Sequence, residues 1–83
     1  MDAGSLDDLQ RLLGTFDENL NIITAELGVT ASVEGACVKF SGEEESVALA
    51  VRVSEGILKL IRAGESVDKN RIVYCIELAR EGN

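Results

Sequence analysis

Histidine, proline and tryptophan are absent from this chain of 83 residues. Without histidine there is no Ser-His or Cys-His couple, no imidazole metal ligand and no side chain whose ordinary pKa lies near neutrality. No glycine is followed directly by lysine, so the G-x-x-x-x-G-K-[ST] loop that grips nucleotide phosphates is missing as well. We therefore expect a chain that is not itself an enzyme and that carries no metal or cofactor.

Cysteine is scarce too, since Cys37 and Cys75 are the only two and they form no C-x-x-C motif. Two thiols without histidine cannot complete a four-ligand zinc site within one chain. We expect both cysteines to be reduced and to act as small hydrophobic side chains, with a disulfide as the alternative.

Positive charge is in short supply, because 8 Lys and Arg residues stand against 15 Asp and Glu residues, for a formal net charge of −7. The basic residues are scattered along the chain, so tight, charge-driven binding to nucleic acid or to an anionic membrane is disfavoured. The chain also has no apolar targeting segment and no apolar run long enough to span a bilayer. We expect a cytoplasmic protein with no membrane partner.

The first amphipathic segment covers residues 6–13, where apolar residues recur at the spacing of a helix. Ser5 is its predicted N-cap and Gly14 its predicted end. A strand over residues 2–6 is the alternative for the start of the chain.

A second helix is predicted over residues 18–27, with the side chain of Asp17 as its N-cap and Gly28 as a left-handed stop. Clustered carboxylates here and elsewhere look at first like metal or acid-base sites. Each cluster falls at the start of a predicted helix, however, where negative charge complements the helix dipole. We therefore interpret these carboxylates as structural.

After Gly28 the hydrophobic period changes to two, which indicates two strands joined at Glu34 and Gly35 in an antiparallel hairpin. The face expected to be buried carries Val29, Ala31, Val33, Val38 and Phe40. The opposite face, expected to meet solvent or a partner, carries Thr30, Ser32, Cys37 and Lys39. A sheet of two strands also invites a third strand from elsewhere.

The longest predicted helix begins at the three glutamates of residues 43–45 and ends before Gly64. Gly56 lies inside this helix, where glycine costs about 1 kcal/mol relative to alanine, and it suggests either close backbone packing or mere tolerance. Asp68 is the predicted cap of a last helix that ends near Arg80. The complete order is helix, helix, strand, strand, helix, helix, which predicts an α+β domain with helices on one face of a small antiparallel sheet.

Several motifs resemble, in order, those of the KH domain. Residues 14–17 occupy the place of its G-x-x-G loop, Leu27-Gly28-Val29 that of the next strand, and Gly42 to Ala50 that of a later helix. Together with residues 74–82, the same segments resemble the N-terminal domain of bacterial PhoH-like proteins over nearly the whole chain. The resemblance implies a single KH-like domain over residues 1–83.

In PhoH-like proteins, a KH-like module precedes a P-loop ATPase associated with RNA metabolism and phosphate starvation. The resemblance implies that this chain is an N-terminal fragment, with ATP and Mg belonging to the missing ATPase domain. The implied role is an interaction or assembly module for that ATPase domain, its expected partner, and the alternative is an RNA-binding accessory module. A homo-oligomer and weak binding of single-stranded RNA stay open as further partners.

The residues that would contact RNA belong to a degenerate G-x-x-G loop and a neighbouring groove: Gly14, Thr15, Phe16, Asp17, Thr30, Ser32, Lys39 and Arg11. Asp17 stands where the second glycine of the loop belongs. As an N-cap it would occupy the first N–H groups of the next helix and place negative charge where a phosphate would lie. The residues therefore favour the interaction module over direct RNA binding.

Overall fold

A computed structural model describes residues 1–82, which form four α-helices and a two-stranded antiparallel sheet in the order predicted. The protein is therefore an α+β domain. The helices are α1 (Leu6–Leu13), α2 (Glu18–Leu27), α3 (Glu44–Arg62) and α4 (Lys69–Arg80), and the strands are β1 (Thr30–Glu34) and β2 (Cys37–Ser41). A short 3-10 turn, Thr15–Asp17, links α1 to α2.

The hydrophobic core lies between the four helices and the inner face of the sheet, and α3 contacts all three other helices as well as β2. The largest fully buried apolar side chains come from every helix and from β2: Leu12, Ile23, Val38, Ile57, Ile72 and Ile76. These residues fall on the apolar stripes set by the helical and strand periods. The core therefore fixes the relative positions of the α1–α2 turn and the hairpin.

Two predicted caps are confirmed. Ser5 Oγ accepts a hydrogen bond from the backbone N–H of Asp8 at 3.1 Å, and Asp68 Oδ1 accepts one from the backbone N–H of Arg71 at 2.9 Å. Each cap satisfies a donor that has no partner within its own helix. The starts of α1 and α4 are thus fixed by local sequence.

The N-terminal segment lies along the edge of β2 that β1 leaves free. Met1 and Val38 exchange two backbone hydrogen bonds of 2.7 and 2.8 Å, and the N–H of Ala3 donates to the carbonyl of Ala36 at 2.8 Å. The alternative prediction, a strand over residues 2–6, is thus confirmed only in part, because residues 1–3 pair with β2 and α1 begins at Leu6. In effect β2 is the middle strand.

Arg62, the last residue of α3, holds this segment in place. Its Nη2 donates to the carbonyl of Ala3 at 2.6 Å, and its Nε lies 3.4 Å from Oδ2 of Asp8. One guanidinium therefore joins the N-terminal segment, α1 and α3.

The predicted burial of the hairpin needs one correction. Val29, Val38 and Phe40 are buried and Ala31 is half-buried, but Val33 is 45% exposed. Val33 pairs with Val38 and so lies on the inner face of the sheet, yet β1 is an edge strand and the helices do not extend far enough to cover it. The prediction that Val33 is buried was wrong because alternation gives the face of a side chain, not how far the helices extend.

Of the two explanations offered for Gly56, close backbone packing and mere tolerance, the first is wrong. A Cβ added at Gly56 would meet no heavy atom within 4 Å, so close backbone packing does not explain this glycine. It borders a cavity of about 190 Å³ between α3 and α4 that Cys75 also lines.

Burial raises the pKa of the Cys75 thiol, and the nearby Arg71 partly opposes that rise. Cys37, in contrast, is exposed on the sheet rather than packed in the core.

Candidate functional site

The turn between α1 and α2 depends on Gly14. Its backbone has φ 78° and ψ −179°, a region that is essentially restricted to glycine. A Cβ at this position would lie 2.8 Å from the side-chain amide of Asn19, which is buried with 8% exposure. A side chain at residue 14 would therefore strain the turn by which the chain reverses from α1 toward α2.

Phe16 and Asp17 follow in left-handed backbone conformations, with φ of 52° and 58°. Such conformations cost a residue other than glycine about 1–3 kcal/mol. The side chain of Phe16 is 95% exposed, so no packing of the ring offsets this cost. Strained backbone of this kind is concentrated at functional sites, which directs attention to the turn.

The prediction that Asp17 caps α2 through its side chain was wrong. An N-cap residue needs an extended backbone to aim its oxygen at the next turn, whereas Asp17 is left-handed and makes no side-chain cap hydrogen bond. The loop carbonyls serve other donors, because the N–H of Asp17 donates to Gly14 and the N–H of Glu18 donates to Thr15, whereas a side-chain cap would accept from an N–H further into the first turn of α2. The carboxylate of Asp17 stays at the turn as an exposed negative charge.

The electrostatics of the turn oppose anion binding. Arg11 is the one basic residue among those that line a shallow cavity of about 440 Å³ beside the turn. Its Nη2 lies 3.3 Å from Oδ2 of Asp7, one helical turn earlier. Asp17 lines the same cavity, as do Gly14 and Thr15. A phosphate at this position would meet a cation already paired with one carboxylate and would face a second carboxylate.

The strand residues of the predicted groove form a separate group on the outer face of the sheet. Ser32 and Lys39 are register partners on β1 and β2, and both are exposed. Thr30 is exposed as well, and its Oγ1 donates to the carbonyl of Ser41 at 3.4 Å. None of these three residues lines the cavity beside the turn. The structure thus groups Arg11, Gly14, Thr15 and Asp17, and separately groups the strand residues.

Sequence reasoning missed a second cavity, of about 590 Å³, between α2 and α4. Phe16 is among its lining residues, and Ile22, Ala25 and Val73 add further apolar lining. The available signal was an extra apolar residue beside one inward residue of each helix, since Ile22 precedes the buried Ile23 and Val73 follows the buried Ile72. Helices that carry such extra apolar residues widen their apolar stripe toward the surface.

Residues 1–82 contain no group of three or more Asp, Glu, Cys or His side chains arranged to hold a metal ion. Over the same residues, no helix combines the length and the apolar character needed to cross a membrane.

The curated proteins that are similar to this chain are all described as PhoH-like proteins. The chain is 28% identical over 75 residues to a PhoH-like protein of Bacillus subtilis strain 168, a match that covers 90% of this chain and 24% of the relative. It is 38% identical over 67 residues to PhoH-like proteins of Mycobacterium bovis and Mycobacterium tuberculosis, covering 81% of this chain and 19% of each relative. The chain therefore spans about a fifth to a quarter of the length of the curated relatives it matches. No protein-family model matches it, and no solved structure does.

Proposed function

We propose that this chain, which matches about a fifth to a quarter of the length of PhoH-like proteins, is their N-terminal part: a non-catalytic, KH-like module that serves interaction and assembly of an ATPase-containing parent protein. The KH-like assignment is supported by the order of elements: a paired N-terminal segment, two helices joined by a glycine turn, a hairpin and a long helix. One domain over residues 1–83, working in the cytoplasm, completes the proposal.

The charge at the α1–α2 turn carries this proposal. A KH-type turn that holds phosphate presents free N–H groups and positive charge. Here the carboxylate of Asp17 lies at the turn, and Arg11 is paired with Asp7. With a net charge of −7 over the chain, the surface is better suited to contacts with protein than to contacts with a phosphate backbone.

An RNA-binding accessory module is the second candidate, and Phe16 supports it. Its ring is 95% exposed beside the start of α2, and exposed aromatic rings stack on the bases of single-stranded RNA. The lack of a side-chain cap from Asp17 also leaves that end of α2 less fully satisfied than the sequence predicts. Both features would serve RNA only if the acidic charge of the turn were overcome.

A graft experiment tests the assembly role. The segment of the Bacillus subtilis PhoH-like protein that matches this chain is deleted or replaced by residues 1–83, and the molar mass of each product is measured by light scattering. The number of subunits is this mass divided by the mass of one subunit, and we expect the deletion to lower that number and the graft to restore it. An unchanged number of subunits after deletion would contradict the assembly role.

The RNA alternative is tested by fluorescence anisotropy with a labelled oligouridine at several salt concentrations. The unmodified chain is expected to bind no better than the non-specific range tabulated for duplex DNA, a Kd of about 10⁻⁴ to 10⁻⁶ M. A sub-micromolar Kd at physiological salt, weakening as salt rises, would favour the RNA-binding module instead.

A further inference from the structure

The outer edge of β1 is the part of the sheet left open. Within residues 1–82, β2 is the only strand paired with β1, whereas β2 has β1 on one side and residues 1–3 on the other. Four of the five residues of β1 are exposed, and the fifth, Ala31, is half-buried. The protein thus closes one edge of its sheet with its own N-terminus and leaves the other uncovered.

Hydrogen bonds on the far side of the sheet show which backbone groups this edge presents. Val38 uses both its N–H and its carbonyl to bond Met1, so it makes no backbone bonds to β1. Val33 is its register partner and therefore belongs to a non-hydrogen-bonded pair, in which the backbone groups point away from the neighbouring strand. The same alternation applies to Ala31, opposite Phe40. The N–H and carbonyl groups of Ala31 and Val33 therefore point outward from β1.

We propose that this edge pairs with β1 of a second copy of the chain, antiparallel and about a two-fold axis at Ser32. The inference rests on the assembly role proposed above and names the partner surface for it. In this register all five residues of β1 overlap, Ala31 lies opposite Val33 of the partner subunit, and Ser32 lies opposite Ser32 of the partner subunit. Ala31 and Val33 of the partner subunit then form a hydrogen-bonded pair that exchanges two bonds, and its symmetry mate brings the total to four backbone hydrogen bonds.

Side chains on the inner face fit the same register. Val33 would lie between its own neighbour Val38 and Ala31 of the partner subunit, and Phe40 of the partner subunit would come next in the same row. The apolar row beneath the sheet would then continue across the axis without a break. This arrangement accounts for the exposure of Val33, a valine on the inner face of the sheet that residues 1–82 leave 45% exposed.

Charge on the strand is compatible with self-pairing. Glu34 is the only charged residue of β1, and the register places it opposite Thr30 of the partner subunit, so no like charges face each other. The edge also carries no lysine, proline or bulge, the usual devices that prevent strand addition. Two copies of net charge −7 repel each other at longer range, and salt screens that repulsion. Association is therefore expected to strengthen as salt rises, which is opposite to the behaviour of an RNA complex.

A disulfide across the axis tests the register. Antiparallel residues in a non-hydrogen-bonded pair have Cα atoms about 4.5 Å apart, within the range that a disulfide can bridge. With Cys37 replaced by serine to remove the exposed native thiol, Ser32→Cys is expected to form a covalent dimer under mild oxidation.

Lys39→Cys in the same background is the matched control. Lys39 is exposed on the same face but lies one strand further from the axis on each side, about 14 Å from Lys39 of the partner subunit at normal strand spacing. We expect the yield of covalent dimer to be several-fold lower for Lys39→Cys than for Ser32→Cys. Equal yields would overturn the proposal, because they would reflect random collision.

A proline at position 31 tests the edge hydrogen bonds. Ala31→Pro removes an N–H that points outward and leaves the β1–β2 ladder intact, so the fold should be retained. Combined with Ser32→Cys, it is expected to abolish the excess of covalent dimer while circular dichroism shows unchanged secondary structure. Persistence of the excess in that folded variant would overturn the proposal.

If the graft still assembles while Ser32→Cys gives no excess of covalent dimer over Lys39→Cys, this inference fails and the assembly role stands.

Discussion

Gly14 and Asn19 fit against each other: the space that a Cβ at residue 14 would take is filled by the buried amide of Asn19. The amide thus packs directly on the backbone of the turn. This contact links the end of α1 to the first turn of α2.

Replacement of Gly14 by alanine should therefore destabilise the domain. The backbone at this position costs a residue with a side chain about 1–3 kcal/mol, and the clash with Asn19 adds to it. Gly35→Ala is the control, because it also has positive φ, of 60°, but its added Cβ would meet nothing within 4 Å. Urea denaturation should give a larger loss for Gly14→Ala, and equal losses would contradict the contact with Asn19.

The left-handed conformation of Phe16 predicts a stabilising substitution. Asparagine tolerates this backbone better than phenylalanine, and the exposed ring contributes little packing. Phe16→Asn is expected to raise the free energy of unfolding by about 0.5–1 kcal/mol. Phe16→Ala should give no such gain, since alanine also disfavours positive φ. A gain of the same size for both variants would show that removal of the exposed ring, not the backbone, is responsible.

Gly56 offers a second stabilising change. It lies within α3 with open space where a Cβ would be, so alanine should gain helix propensity without a clash. We expect Gly56→Ala to raise the thermal midpoint, with a gain of about 0.5–1 kcal/mol in stability. Gly64→Ala, at φ 82°, should lower it. A destabilised Gly56→Ala variant would mean that α3 and α4 approach more closely than the structure shows.

Phe40 should be among the most important side chains of the sheet. It is buried on the inner face of β2, and truncation of a buried phenylalanine to alanine typically costs about 3–5 kcal/mol. Val33→Ala, on the same face but half exposed, should cost less than about 1 kcal/mol. Chemical denaturation of the two variants checks the difference, and a reversed order would mean that the hairpin register is wrong.

The charge of the α1–α2 turn predicts how RNA binding responds to mutation. Asp17→Gly together with Phe16→Lys restores the second glycine and changes the local charge by about +2, so affinity for oligouridine should rise several-fold. The salt dependence should steepen by about 0.7 logarithmic units per added phosphate contact. Glu55→Lys, which adds the same charge on α3, is the control. A folded double variant that gains no more affinity than this control would show that the turn is not a phosphate site.

Sequence periodicity was sufficient for the order of helices and strands, because each helix has one apolar stripe and local residues such as Ser5 and Gly28 mark its limits. It was insufficient at the turn, where Phe16 is not a residue type that signals left-handed backbone and where Asp17, a residue type that tolerates it, was predicted to be an N-cap with extended backbone. That conformation follows from the requirement to connect two packed helices through four residues, which is a tertiary constraint. The exposure of Val33 and the α2–α4 cavity escaped prediction for the same reason.

The pairing of Met1 with Val38 also has a consequence for the order of folding. The hairpin joins residues close in sequence, but this pair closes a separation of 37 residues, and the bond from Arg62 to Ala3 closes one of 59. Long closures cost chain entropy before any contact compensates for it, so the hairpin and α3 can form before residues 1–3 arrive. Amide protons of Ala3 and Val38 should therefore exchange through a partial opening that leaves the helical core protected, which would make the N-terminal segment the part of the sheet that opens most easily.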